Sequence, residues 1–158
     1  MSDSKVRLVQ LPPIRVASFH AYGAEPEIAA LDKLHTWAAA KGYLESPKKP
    51  RIFGFNNPNP STGSPNYGYE VWITVEPETH PESGVEFKDF PGGLYAVLHW
   101  DGKGDPYETI PAAWAELIKW LEASLYHASG PLCLEEHLPP AEDSQAGFAL
   151  DLYLPVTK

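Results

Sequence analysis

The chain has 158 residues, 43% of them hydrophobic, enough for one domain with its own core or two small halves sharing one. Twelve basic against 21 acidic residues give a formal charge of -9, which argues against a phosphate-binding surface and so against direct nucleic-acid binding. No apolar run approaches the roughly 20 residues that cross a bilayer, MSDSKVRLVQLPP has no signal-peptide core, and the single Cys133 forms no internal disulfide; a cytoplasmic protein without membrane contact is expected.

In chain order, Val6 to Gly23 predicts strand, with a bend at Pro12, and the stretch recurs: at an offset of 79, VRLVQLPPIRVASFHAYG lies over VEFKDFPGGLYAVLHWDG, Val85 to Gly102, without a gap. Pro26 to Lys41 predicts a helix with Ile28, Leu31, Leu34 and Ala38 on one stripe and Gly42 as its stop. PRIFGFNNP (from Pro50) and YEVWITV (Tyr69 to Val75) predict two strands joined by a turn-rich loop. After the second copy of the first element, Pro106 to Ser124 predicts a helix striped by Ile110, Ala113, Trp114, Leu117, Ile118 and Leu121, its regular part starting at Pro111. PLCLEEHLP (from Pro131) and LDLYLPV (Leu150 to Val156) then repeat the two later strands at an offset of 81. Repeat halves 5–77 and 84–157 follow, giving an α+β fold: a duplicated strand-helix-strand-strand unit, an antiparallel sheet backed by two long helices, and a pseudo-twofold axis.

Alternation assigns faces. Val71, Ile73 and Val75, like Leu152, Leu154 and Val156, are expected toward the helices, leaving Glu70, Trp72 and Thr74, and Asp151, Tyr153 and Pro155, on a mixed face. In PLCLEEHL the helix-side set is expected to be Leu132, Leu134 and Glu136, with Cys133, Glu135 and His137 on the mixed side, so that Gly54 stands at the position equivalent to Glu135. Aromatic walls around a desolvated carboxylate hold flat cations. A cleft between the repeats lined by Trp72, Trp100, Tyr107, Tyr153 and Tyr69, with Glu70 and Glu135 as acids, fits that recipe. Trp37, Trp114 and Trp120 sit where packing explains them, and His99 has a twin in His20, which favours a structural role for both. The six histidines make no HExxH or comparable pair, the glycine turns lack a phosphate-loop context, and Cys133 has no cation to activate it, so neither metal nor cofactor is expected.

With the duplicated unit, the Trp120-Leu121 helix end, the strand containing Glu135 and the closing LYLPV, nearly the whole chain resembles the GyrI-like small-molecule-binding domain, the effector-binding part of AraC-type and MerR-type multidrug-responsive regulators. The family strand typically reads Glu-x-Tyr with the Glu in the central pocket; the resemblance implies that Glu135 is this acid, and His137 replaces the Tyr. Five residues before Val6 leave no room for a helix-turn-helix, so a stand-alone member is expected, as monomer or homodimer.

Three functions are open on this resemblance. The first is a binder of aromatic or cationic compounds, with Glu135, His137, Trp72, Tyr153, Trp100, Tyr107, Tyr69, Gly54 and Glu70 forming the site. The second is a hydrolase of cyclopropane-bearing or other electrophilic natural products, with Glu135 as general acid or base and Tyr107, His137 or Tyr153 as its partner. The third is a protein partner of gyrase or of a regulator.

Overall fold

The computed structural model describes residues 5–45, 50–130, 132–140 and 142–158, so Pro131 of PLCLEEHLP and Ala141 of the following loop lie outside the described residues. Among the described residues nine strands and two α-helices follow in the order β1 (Arg7–Leu11), β2 (Ile14–Gly23), α1 (Pro26–Ala40), β3 (Ile52–Asn56), β4 (Tyr67–Val75), β5 (Glu86–Phe90), β6 (Gly93–Trp100), α2 (Pro106–Ala123), β7 (His127–Ala128), β8 (Leu134–Leu138) and β9 (Ala149–Thr157). All the strand pairs described below are antiparallel, and the fold is α+β.

Two compact units emerge, and they differ from the sequence halves: Pro13–Pro91 forms one, and the residues up to Pro12 with Gly92–Lys158 form the other. The expected bends are where the division falls. Pro12-Pro13 breaks the first strand into β1 and β2, and Pro91-Gly92 breaks its counterpart into β5 and β6. Gly92 takes φ +77, where a Cβ would run into the carbonyls of Leu11 and Pro12. Beyond each break the chain pairs within the other unit: β5 pairs with β2, whereas β1 pairs with β6.

In the Pro13–Pro91 unit, β4 lies between β2 and β3, and α1 packs on one face of these strands. Ala30, Leu34 and Ala38 are fully buried against Ala17, Ala21, Tyr69, Val71 and Ile73, each large apolar side chain contributing roughly 1.5–3 kcal/mol. Ile28, expected on this stripe, is 61% exposed. Pro26 occupies the helix start and the stripe is rotated toward Ala30, because small alanines let helix and sheet approach closely. Trp37 packs with Phe19, Tyr43 and Phe87, as its place at the helix end suggests.

In the other unit, β9 is flanked by β6 and β8, with β7 added to its end. Helix α2 starts at Pro106 rather than at Pro111, because Asp105 caps it by accepting the Tyr107 N–H, and Pro111 lies inside the helix. Leu117 is fully buried among Ala96, Leu98, Leu150, Leu152 and Leu154, with Ile110, Ala113, Trp114 and Leu121 beside it; Ile118 turns outward.

One acid organises the Pro13–Pro91 sheet. Glu70, in mid-β4, accepts from Ser18 Oγ of β2 (2.7 Å), Trp72 Nε1 (2.7 Å), Asn57 Nδ2 (3.0 Å) and Lys88 Nζ of β5 (2.6 Å). Burial alone pushes its carboxyl up, but the Lys88 ammonium and the three neutral donors outweigh that and hold it at about 2. A depressed pKa contributes stability above the ordinary value of 4.5 that is lost as the pH falls toward 2. The depression corresponds to roughly 3 kcal/mol.

Glu70→Gln is therefore expected to cost about 2–4 kcal/mol at neutral pH and to flatten the acid limb of the stability curve between pH 4.5 and 2, read by urea unfolding across pH. An unaltered acid limb would contradict the network. A second expectation concerns Gly54, where a Cβ would lie 2.6 Å from Cζ of Tyr69. Gly54→Ala should lose about 1–3 kcal/mol in the same assay, and a neutral result would show that the Tyr69 ring has other room.

Candidate functional site

Residues directly opposite in an antiparallel pair project from the same face, so the register fixes what alternation only suggests. In β8 and β9, Glu135 faces Leu152 and His137 faces Leu150, and both leucines belong to the cluster against α2. Cys133 packs into that cluster as well. Leu134 stands opposite Tyr153 and Glu136 opposite Asp151. The expected facing is thus inverted: Cys133, Glu135 and His137 lie on the α2 side, and Glu136 lies on the mixed side. The reason is that β9 is buried from Ala149 to Val156, on both faces, so apolar residues such as Leu134 carry no information about which side holds the helix.

The same correction applies in β3. Ile52, Gly54 and Asn56 pair with Ile73, Val71 and Tyr69 on the α1 side, while Phe53 and Phe55 pair with Trp72 and Glu70. Gly54 makes room for the Tyr69 ring within the core, not for a ligand.

On the mixed face of β8 and β9 two buried carboxylates stand directly opposite one another, Glu136 and Asp151, each 7% exposed. Like charges so placed repel and need compensation. Asp151 receives Arg7 Nη2 at 2.7 Å and lies 2.8 Å from His99 Nδ1. Glu136 accepts from the Tyr153 hydroxyl at 2.7 Å. The Tyr153 ring meets Tyr95 edge-on, centroids 5.7 Å apart, and burial pushes the Tyr95 hydroxyl above its ordinary range. Chemically this is an acid pair with an aromatic wall, able to hold a cation or to exchange a proton through the phenol. The twin histidines have different partners, since His20 Nε2 lies 2.6 Å from the carbonyl of Asn57.

The mixed face of the Pro13–Pro91 unit holds Trp72, buried beside Glu70 as expected, with Phe55 and Phe90 rings at 5.0 and 5.3 Å. Glu70 is already met by four donors. Burial alone would lower the Lys88 ammonium pKa, but its ion pairs with Glu70 and Glu86 raise it above the ordinary value. The remaining expected residues are elsewhere. Tyr69 is buried on the α1 side, and Trp100 is buried on the α2 side, donating to Thr109 Oγ1 at 3.0 Å. Tyr107, 85% exposed on the first turn of α2, belongs to neither mixed face. Burial and the Glu135 charge push the Cys133 thiol up, away from nucleophilic use. Among the described residues no group of His, Cys, Asp and Glu could hold a metal. Sequence reading did not single out Glu136, Tyr95 or Arg7. No local signal separates Glu136 from Glu135; the β8–β9 register places them.

Residues 4–157 match the family described as GyrI-like small molecule binding domain. No curated protein sequence matches the chain. In fold the chain is similar to the C-terminal domain of EcmrR, with a TM-score of 0.69 at 18% identity over 97% of each chain. It is likewise similar to a hydrolase from Listeria innocua, with 0.69 at 12% identity over 96% of this chain and 91% of that one. A third likeness is SAV2435 bound to tetraphenylphosphonium, with 0.54 at 11% identity over 96% and 93%. From the extent of the family match, the chain belongs to the GyrI-like small-molecule-binding domain family.

Proposed function

We propose that this domain binds hydrophobic aromatic cations on the mixed face of β8 and β9, with Glu136 as the acidic anchor and Tyr153 and Tyr95 as the ring partners. The carrying observation is the directly opposed pair Glu136 and Asp151 beside two aromatic rings. A desolvated carboxylate attracts a cation strongly, and ring faces add about 0.5–2 kcal/mol each. The formal charge of -9 favours encounter with a cation, and tetraphenylphosphonium, the ligand of SAV2435, is an aromatic cation. The anchor expected at Glu135 passes to Glu136, since Glu135 stands opposite Leu152 on the helix side. Because Tyr153 is only 2% exposed, a ligand reaches the acid by displacing the phenol, which costs part of the affinity.

A second reading, a hydrolase, rests on the hydrogen bond from Tyr153 to Glu136. There Glu136 would take a proton from water attacking a strained carbon, and Tyr153 would donate to the oxygen that gains charge. Multiple turnover of a cyclopropane-bearing electrophile, lost in Glu136→Gln, would separate this reading from binding alone.

Tetraphenylphosphonium binding by calorimetry is expected to weaken at least about tenfold in Glu136→Gln and to change by less than about threefold in Glu135→Gln. Both variants should melt within a few degrees of the parent. A neutral tetraphenyl isostere binding as tightly as the cation, or the opposite ranking of the two variants, would overturn the proposal.

A further inference from the structure

At one end of β2, β4 and β5, Pro13, Ile14, Val75, Phe90 and Pro91 wall an open groove of about 490 Å³, a volume suited to a small organic molecule. All of its lining residues belong to the Pro13–Pro91 unit, and none takes part in the Glu136 site. Its one fixed charge is Arg15. That side chain is only 16% exposed, its guanidinium lies 5.4 Å from the Phe87 ring centroid, and its Nε donates to the carbonyl of Thr79 at 3.3 Å. Its anionic partner Asp89 differs sharply: 78% exposed, it accepts from Nη1 at 3.0 Å through one oxygen.

A guanidinium anchored from two other directions keeps its place when that carboxylate leaves, and an ion pair with so exposed a partner is weak. The planar fork is built to take a carboxylate through two parallel hydrogen bonds. The geometry points to a second ligand site in this groove, for a small amphipathic monocarboxylate: its apolar body lies against Val75 and Pro77, on the face that Arg15, Asp89 and Val75 share, and its carboxylate replaces that of Asp89 on Arg15. The site takes the charge opposite to the ligand of Glu136. Asp89 is then a built-in competitor, and the groove favours carboxylates over cations and neutral compounds because only a carboxylate can take the place of Asp89 on the guanidinium.

The test is an NMR titration of the full chain with naphthoate, its methyl ester and tetraphenylphosphonium, following the Arg15 Nε–H and the Val75 and Phe90 amides. Naphthoate is expected to shift all three saturably, and the ester and the cation are expected to leave them in place. Asp89→Asn should tighten naphthoate about threefold or more, by removing the competitor. Arg15→Gln should weaken it at least about tenfold. The Asp89 variant decides the matter even if Arg15→Gln lowers the melting temperature. No shift up to millimolar naphthoate, equal shifts with the ester or the cation, or weaker binding in Asp89→Asn would overturn the site. These outcomes are independent of whether Glu136 binds a cation.

Discussion

A charge in the middle of a strand with both faces closed has no route to water and must be met by donors. This constraint governs β4 and β9, whose central residues are buried on both sides, and each carries one acid there, Glu70 and Asp151. The compensating base comes in both units from two strands away. Lys88 on β5 reaches across β2 to Glu70, and Arg7 on β1 reaches across β6 to Asp151. Each ion pair also fixes register, since a slip of one residue would turn the base to the other face and leave the acid unmatched. The edge strands are thus held to the sheet centre by charge as well as by their backbone bonds.

The broad outline was legible in the sequence because it depends on signals that survive averaging. The α1 and α2 periodicities, the breaks at Pro12-Pro13 and Pro91-Gly92, and the loops rich in proline and glycine all predict elements that are present. Local details gave way to tertiary context. Ile28 lost its place on the stripe to alanines that permit close packing, and the Asp105 cap set the start of α2 ahead of Pro111.

The facing of β8 was not legible in the sequence. Alternation put Glu135 on the face of Tyr153, whereas the register puts Glu136 there, opposite Asp151. Alternation names a face only when one face is polar. Here Leu134 and Leu11 are as buried on the mixed side as Leu152 is on the helix side, so the apolar pattern has no preferred phase. Only the pairing of Glu136 with Asp151 breaks that symmetry, and pairing is a long-range fact.

The breaks after Pro12 and Pro91 carry a consequence for the order in which the molecule can form. As the chain leaves the ribosome, β1 emerges first, but Arg7 must wait for Val97 before it has a ladder partner. Likewise Arg15 waits for Val75 until α1, β3 and β4 have been made, and for Asp89 until β5 follows. Closing such long loops is entropically slow, and a strand left waiting exposes unpaired backbone to any passing edge. The residues before Pro12 therefore wait unpaired for a unit whose other strands are all synthesised more than eighty residues later.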